Sequence, residues 1–354
     1  MLEEVLSSYG LGTAATIQSH GSGLIHNTWK VIQGSDEFIL QRINHHVFNH
    51  PEFIAKNIEA IASWLKKNCP GYLFVTPLRT ISGKAILYIP GQGYFRLFPF
   101  VKNSRTYEIA QSPQQAFEAA RQFGLFTGVL RDFPAESLEI TLPGFHNLSQ
   151  RHTQFEQSIR EGNPSRIKES QGEIKYLRAQ NYIVSIFEEV VSTKEFKVRV
   201  THHDTKISNV LFDQQGQGIC VIDLDTVMPG YFISDVGDMI RTYVSPVSEE
   251  EKDFEKIEIR EDFFSAIARG YLKEMRNELT PTELSHFVYS GMFMIYMQAL
   301  RFLTDFLNND IYYGTSYEGH NYVRAKNQIV LLKRLLEKKD KLEEMVISVS
   351  MGSN

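Results

Sequence analysis

His202-His203-Asp204-Thr205-Lys206-Ile207-Ser208-Asn209 and, shortly after, Ile222-Asp223-Leu224-Asp225 are the stretches on which the reading of this chain turns. An Asp and an Asn five positions apart on a loop can face one pocket. Between the two stretches, Val210-Leu211-Phe212 and Ile219-Cys220-Val221-Ile222 flank Asp213-Gln214-Gln215-Gly216-Gln217-Gly218, the pattern of a β-hairpin. The returning strand then delivers Asp223 beside Asp204 and Asn209. Phosphoryl transfer asks for a carboxylate to accept a hydroxyl proton and for oxygen ligands that hold magnesium across nucleotide phosphates. Magnesium takes a few such hard donors together with water. Asp204 is therefore the candidate base, and Asn209 and Asp223 are candidate magnesium ligands. Asp225 is either a second ligand or a residue that orients the first.

Outward from this centre the chain is long amphipathic helix on both sides. Pro113 to Val129 carries Phe117, Ala120, Phe123, Gly124 and Phe126 at helical spacing, and Ile174 to Val191 and the segments after Asp262 read likewise. The first hundred residues differ. Ala15–Gln18, Thr28–Ile32, Glu37–Ile43, Lys84–Ile89 and Gly93–Phe98 read as strands. Asn49-His50-Pro51 opens one helix, whose apolar face takes Phe53, Ile54, Ile58, Ile61 and Leu65. Strands first and helices after give an α+β chain with a strand-rich lobe at 1–100 and a larger helical lobe at 101–354. Ser19-His20-Gly21-Ser22-Gly23-Leu24-Ile25-His26-Asn27-Thr28 connects two strands. Gly21 and Gly23 would let backbone amides approach phosphates, and Ser22 and Asn27 can donate hydrogen bonds. It is not a Walker A loop.

His202-His203-Asp204-x-x-x-x-Asn209, followed after a hairpin by Ile222-Asp223, resembles the catalytic core of the aminoglycoside phosphotransferase and choline kinase superfamily. The strings Ile222 to Gly230 and Asp235-Val236-Gly237-Asp238 look most like the N-acetylhexosamine 1-kinases within it, and the similarity runs from about Gly21 to Gln328. The resemblance implies a protein-kinase-like two-lobed fold with ATP and Mg2+ in the cleft. It places the adenine against backbone around Phe98 and Phe100. It also implies transfer to a sugar's anomeric hydroxyl, held by Asp204, His26, Arg301 and Tyr312. One position departs from the pattern. The phosphate-binding lysine of the third strand is absent, and Phe38-Ile39-Leu40 leads to Gln41-Arg42. Pleating sends those two side chains to opposite faces, so one of them faces the cleft, and position-by-position matching favours Gln41. Glu52 and Glu59 on the following helix are the acidic candidates for a partner.

Bulk properties narrow the class. A net charge of -5 over 354 residues argues against binding nucleic acid through a basic face. Cys69 and Cys220 leave room for one disulfide and show no zinc spacing. Met1-Leu2-Glu3-Glu4-Val5 lacks the features of a secretion signal, and Met292–Leu303 is too short to span a bilayer. The expectation is a soluble cytoplasmic enzyme with a small-molecule acceptor, away from membranes; oligomeric state is not readable. Two alternatives stay open: a kinase of another alcohol, such as an aminoglycoside, choline or a small metabolite, or a nucleotide-binding pseudokinase. Gln41 motivates the second, and retention of Asp204, Asn209 and Asp223 opposes it.

Overall fold

The structure is a computed structural model and describes residues 2–21 and 25–352. After α1 (Leu2–Ser8), the strands β1 (Thr16–Ser19), β2 (Asn27–Gln33), β3 (Asp36–Ile43), β4 (Leu87–Ile89) and β5 (Gly93–Pro99) form one antiparallel sheet in the order β1-β2-β3-β5-β4. Alternation gives the sheet two distinct faces. Leu40 packs with Val31, Phe95, Leu97 and the α1 residues Val5 and Leu6 in a small core. Gln41, paired in register with Thr28 on one side and Arg96 on the other, takes the opposite face. Arg42 is on Leu40's face, at the strand end, with its Nε close to Gly93.

Helix α2 (Pro51–Asn68) starts on a proline that suits a first helical turn and ends just before Pro70. Its face of Ile54, Ile58, Ile61 and Leu65 joins the larger core with Phe123 and Phe126, rather than the core of the sheet. The first lobe is thereby seated on the second through a helix of its own. Phe53 departs from the expected face and stacks on His50. The strand expected from Lys84 shortens to Leu87–Ile89, because Thr80 and Lys84 close a turn around Gly83, whose φ of +83° favours glycine.

The remainder is helical: α3 (Pro113–Val129), α4 (Leu148–Glu161), α5 (Pro164–Glu169), α6 (Gln171–Ala179) and α7 (Tyr182–Ser192) precede a pair of small sheets. These hold β6 (Arg199–Thr201) against β9 (Met228–Gly230), and β7 (Val210–Phe212) against β8 (Gly218–Val221). Then come α8 (Phe232–Tyr243), α9 (Glu261–Met275), α10 (Pro281–Ser285), α11 (Phe287–Leu307), α12 (His320–Glu337) and α13 (Lys339–Ser350). Ser112 caps α3 by accepting from the Gln115 amide. Helices α3 and α9 cross so closely that a Cβ on Gly270 would sit 2.3 Å from the Phe117 carbonyl oxygen. The single helix expected over Ile174–Val191 is two helices. The chain turns tightly at Gln180–Asn181, and the carbonyls of Leu177 and Ile183 on either side of the turn accept from the hydroxyls of Tyr296 (3.0 Å) and Tyr289 (2.8 Å) on α11. Both cysteines are free. Among the described residues, no helix is long and apolar enough to cross a membrane.

Candidate active site

The loop between β6 and β7 is held from beneath by buried carboxylates on α8. Asp235 accepts from the backbone amides of His202 (3.0 Å) and His203 (2.7 Å), and Asp238 accepts from that of Thr205 (2.9 Å). Burial, helped by the nearby Asp238 carboxylate, pushes the Asp235 carboxyl up to about 6, against His202 and the two amides that favour its charge. Tyr243 donates to the Thr205 carbonyl (2.5 Å), and Arg241 pairs with Asp238 (2.9 Å). These ties let His203 sit at φ +66°, a left-handed conformation that costs a non-glycine residue on the order of 1 kcal/mol. Its ring in turn demands Gly230, where a Cβ would fall 2.5 Å from His203 Nε2. His202 packs edge-on against Phe123 and donates from Nε2 to the Ile222 carbonyl (2.9 Å). It joins the loop to the end of the hairpin.

That joint brings the acidic residues together. The Ile222 amide donates to the Asn209 carbonyl (2.9 Å), which sets Asp223, itself left-handed at φ +60°, next to the loop. Asn209 Nδ2 donates to both the backbone oxygen (2.8 Å) and Oδ2 (3.0 Å) of Asp204. Its amide oxygen is left for another partner. Lys206 Nζ lies 3.0 Å from the other Asp204 oxygen. Burial opposes charge on Asp204, but Lys206, His202 and the Asn209 amide outweigh it and hold the carboxyl below its usual range. Asp204 is thus an ionised acceptor at neutral pH. Asp223 opens to the cleft, and desolvation there, with Asp225 and Asp204 nearby, pushes it up to about 6. An Asn oxygen and a carboxylate oxygen form a hard donor set that suits magnesium better than a soft metal. His26, Asp223 and Asp225 also place ligand-type atoms within 4.8 Å of one another.

Asp225 is differently engaged from Asp223. It is 2% exposed, and both of its oxygens meet the Arg96 guanidinium, Nη2 at 2.9 Å from Oδ2. His26 Nε2 is 2.7 Å from the same Oδ2. The Asn44 amide donates to His26 Nδ1 (3.1 Å), so Nε2 carries the proton and donates to Asp225. Both His26 nitrogens are therefore committed within the protein. Glu52 and Glu59 point elsewhere, to His50 (3.0 Å) and Arg79 (2.7 Å).

On the nucleotide side, Gly21 has φ +76° and Asn27 opens β2, and both border a hollow of about 140 Å³ between residues 19–21 and 26–29. Ser22 and Gly23 lie outside the described residues. Phe98 shares the cleft face with Gln41 and stands 5.1 Å from the Arg96 guanidinium. The Phe100 amide is used by the Glu37 carbonyl (3.0 Å), and Lys30 Nζ lies 4.1 Å above its ring.

Arg301 and Tyr312 come together in a different place. The Arg301 guanidinium lies 5.9 Å from the Tyr312 ring, 5.3 Å from that of Tyr313 and 5.5 Å from that of Phe145. Asp305, which helical spacing would pair with Arg301, instead accepts the backbone amides of Tyr312 (2.8 Å) and Tyr313 (2.9 Å) and so shapes the loop that carries both rings. Arg151 joins them from α4. It donates to Gln154 and the Phe145 carbonyl, and its Nε is buried with no partner among the described residues. Burial and the field of Arg301 lower its proton affinity. His146 stacks on Phe145, lies 5.2 Å from the His203 ring and has an unpaired buried Nδ1. The group abuts the catalytic loop through that histidine contact.

Sequence reasoning missed Arg96, Lys206 and Arg151. Lys206 stood inside the quoted loop. Arg96 was the one charge in Tyr94-Phe95-Arg96-Leu97-Phe98, a signal that could have been weighed. Arg151 carried no local signal.

An antiparallel sheet set over a helical lobe, with an Asp-Asn-Asp cluster at their junction, defines a kinase-like phosphotransferase. The chain belongs to the phosphotransferase enzyme family, which it matches over residues 16–276. Solved structures share the fold across almost the whole chain. A microcompartment-associated aminopropanol kinase is 16% identical, with a TM-score of 0.66 over 97% of this chain and 98% of that one. An aminoglycoside phosphotransferase from Alicyclobacillus acidocaldarius is 13% identical, with 0.62 over 97% and 95%. An amicoumacin kinase, solved in complex with AMP-PNP, Ca2+ and its amicoumacin ligand, is 15% identical, with 0.62 over 95% and 92%. The fold is thus the protein-kinase-like one that the resemblance implied.

Proposed function

We propose that this phosphotransferase moves the γ-phosphoryl group of ATP to a hydroxyl of a small neutral or anionic acceptor, foremost the anomeric hydroxyl of an N-acetylhexosamine or related sugar. The product is a sugar 1-phosphate. The observation that carries this reading is the pair Arg151 and Arg301. Among the described residues neither has a carboxylate within ion-pair distance, and Glu249, whose field reaches Tyr313, is already paired with Arg241 (2.6 Å). A cation at 6 Å from each guanidinium would be opposed by roughly 3 kcal/mol per charge at an effective dielectric near 20. Choline or a protonated amine is therefore a poor fit. A polyhydroxyl ligand with an acyl oxygen can accept from both guanidinium groups and lie against Tyr312.

Asp204 accepts the proton of the attacking hydroxyl as the new O–P bond forms and the bond from the γ-phosphorus to the bridging oxygen of ADP breaks. Asn209 Oδ1 and Asp223 would hold magnesium, which neutralises phosphate charge when bound. Lys206, beside Asp204, keeps that carboxylate ionised. The test is magnesium-dependent ADP release across free sugars, N-acetylhexosamines, aminoglycosides and choline, with NMR of the product. Phosphate on the anomeric carbon of an N-acetylhexosamine is the expected result. Turnover of choline or aminoglycosides alone would overturn the acceptor reading and leave Asp204, Asn209 and Asp223 in place. Thermal stabilisation by ATP and magnesium without turnover of any acceptor would make it a nucleotide-binding module, the reading that Gln41 motivates.

A further inference from the structure

In protein kinases a lysine on the third strand meets the α- and β-phosphates and pairs with a carboxylate on the following helix. Here Gln41 stands on the cleft face of β3 with no charge, and the acids of α2 are turned to His50 and Arg79. The charge is not missing from the cleft, however. Arg96 is Gln41's direct register partner on β5 and shares its face; Arg96 Nε donates to Gln41 Oε1 at 2.9 Å. The residue is 1% exposed, and its Nη atoms make a two-pronged pair with Asp225. Gln41 Nε2 reaches Thr28 Oγ1 (3.4 Å), and His26 adds a third donor to the Asp225 carboxylate. His26, just before β2, and Arg96 of β5 thus converge on one carboxylate of the large lobe, two positions after Asp223, and Gln41 of β3 holds Arg96 from behind.

We propose that Arg96 replaces the third-strand lysine as the cation of the small lobe, and that Asp225 is its counter-ion rather than a magnesium ligand. The pair is a latch between the lobes. It fixes the backbone on which Asp223, at φ +60°, presents its carboxylate to the cleft. Both oxygens of Asp225 already accept hydrogen bonds, and a divalent cation at either would have to share it with a guanidinium. His26 Nε2 donates its proton to Asp225, so it has no lone pair there for a metal. The proximity of His26, Asp223 and Asp225 is then a feature of the latch. Arg96 is a positioning residue: its Nη atoms act on the phosphates through Asp225 and the Asp223 loop. Gln41 has a defined part, since a neutral oxygen acceptor stabilises Arg96 where a lysine would repel it.

The inference rests on the phosphotransferase reading but not on the acceptor, so its test is binding of ADP with Mn2+, followed by electron paramagnetic resonance and calorimetry. If the wild type binds no ADP–Mn2+, the phosphotransferase reading itself fails. Given wild-type binding, Arg96→Gln should weaken it tenfold or more, Arg96→Lys should recover part of the loss, and Asp225→Asn in the Arg96→Gln background should add little. Loss of Mn2+ binding in Asp225→Asn, with Arg96→Gln binding like wild type, would make Asp225 a metal ligand and overturn the latch. Should Arg96→Gln not fold, Gln41→Lys combined with Arg96→Gln returns the cation to the third strand. Recovery of folding and of ADP–Mn2+ binding in that double variant supports the replacement. Arg96 variants that melt earlier but bind ADP–Mn2+ unchanged would reduce the pair to packing and overturn it.

Discussion

The two ends of the cleft treat their charges in opposite ways. Around the catalytic loop the carboxylates apart from Asp223, which opens to the cleft, have named partners: Asp204 with Lys206 and Asn209, Asp225 with Arg96 and His26, Asp238 with Arg241, Asp235 with two backbone amides. Around Tyr312, two guanidinium groups share the neighbourhood of three aromatic rings, and their hydrogen bonds go only to amide oxygens. A paired network holds its geometry before any ligand arrives. An unpaired buried donor such as Arg151 Nε is a debt in free energy that a ligand acceptor can settle. On the proposed function, the contrast separates the part of the site that does chemistry from the part that selects.

The largest expected break in that contrast comes from Asp204→Asn. The amide keeps the shape and the contact with Asn209 but cannot take the hydroxyl proton. Turnover should fall roughly 10²–10⁴-fold, with ADP affinity by calorimetry close to wild type. Turnover at the wild-type rate would move the base to another residue.

The His203 ring meets His146 between the two ends, and its burial should show in stability against pH. Burial pushes His203 down to about 4 from an ordinary 6.5, although its Nδ1 donates to the Thr201 and Thr226 carbonyls. The folded protein therefore binds fewer protons than the unfolded chain between those values. Stability contributed by neutral His203 is present above about 6.5 and is lost as pH falls toward 4, by up to about 3 kcal/mol at 1.36 kcal/mol per unit. Asp235, raised from 3.8 to about 6, has the opposite sign over a similar window. Denaturation of His203→Asn against wild type isolates the histidine: the variant should lose less stability between pH 6.5 and pH 4.5. Parallel curves would show that His203 takes up its proton in the fold without penalty.

How much of this was legible in the sequence follows the same division. The loop from His202 to Asn209 and the hairpin to Asp223 were readable because their spacing is local, and each turn has a local cause. The amphipathic helices were readable for the same reason, except at Gln180–Asn181, where tyrosines from α11 satisfy carbonyls that local periodicity cannot foresee. The partners of Asp225 were hidden. They depend on the register that sets Gln41 opposite Arg96, and on a contact between residues 129 positions apart in the chain. Arg151 was hidden because α4 meets the Arg301 neighbourhood only through tertiary packing. Asp305 is a further case: it lies one helical turn after Arg301, yet the turn at Asn308–Asp310 brings two backbone amides to it instead.

The finest distinction is within the selective end itself. Arg301→Gln removes charge but keeps a donor and much of the length, so the acceptor KM should rise roughly tenfold to a hundredfold, the range of a lost charged hydrogen bond with a neutral ligand group. The KM for ATP should stay within about twofold, because the proposed function assigns the guanidinium to the acceptor and not to the latch. Tyr312→Phe removes one hydroxyl from a ring that is 67% exposed, and a single neutral hydrogen bond to a ligand is worth about 1 kcal/mol, or about fivefold in KM. Steady-state kinetics with the acceptor from the product screen separates the two. If Arg301→Gln raised the KM for ATP as much as that for the acceptor, the unpaired arginines would belong to the nucleotide. The division between a paired end and a selective end would then fail at Arg301 first.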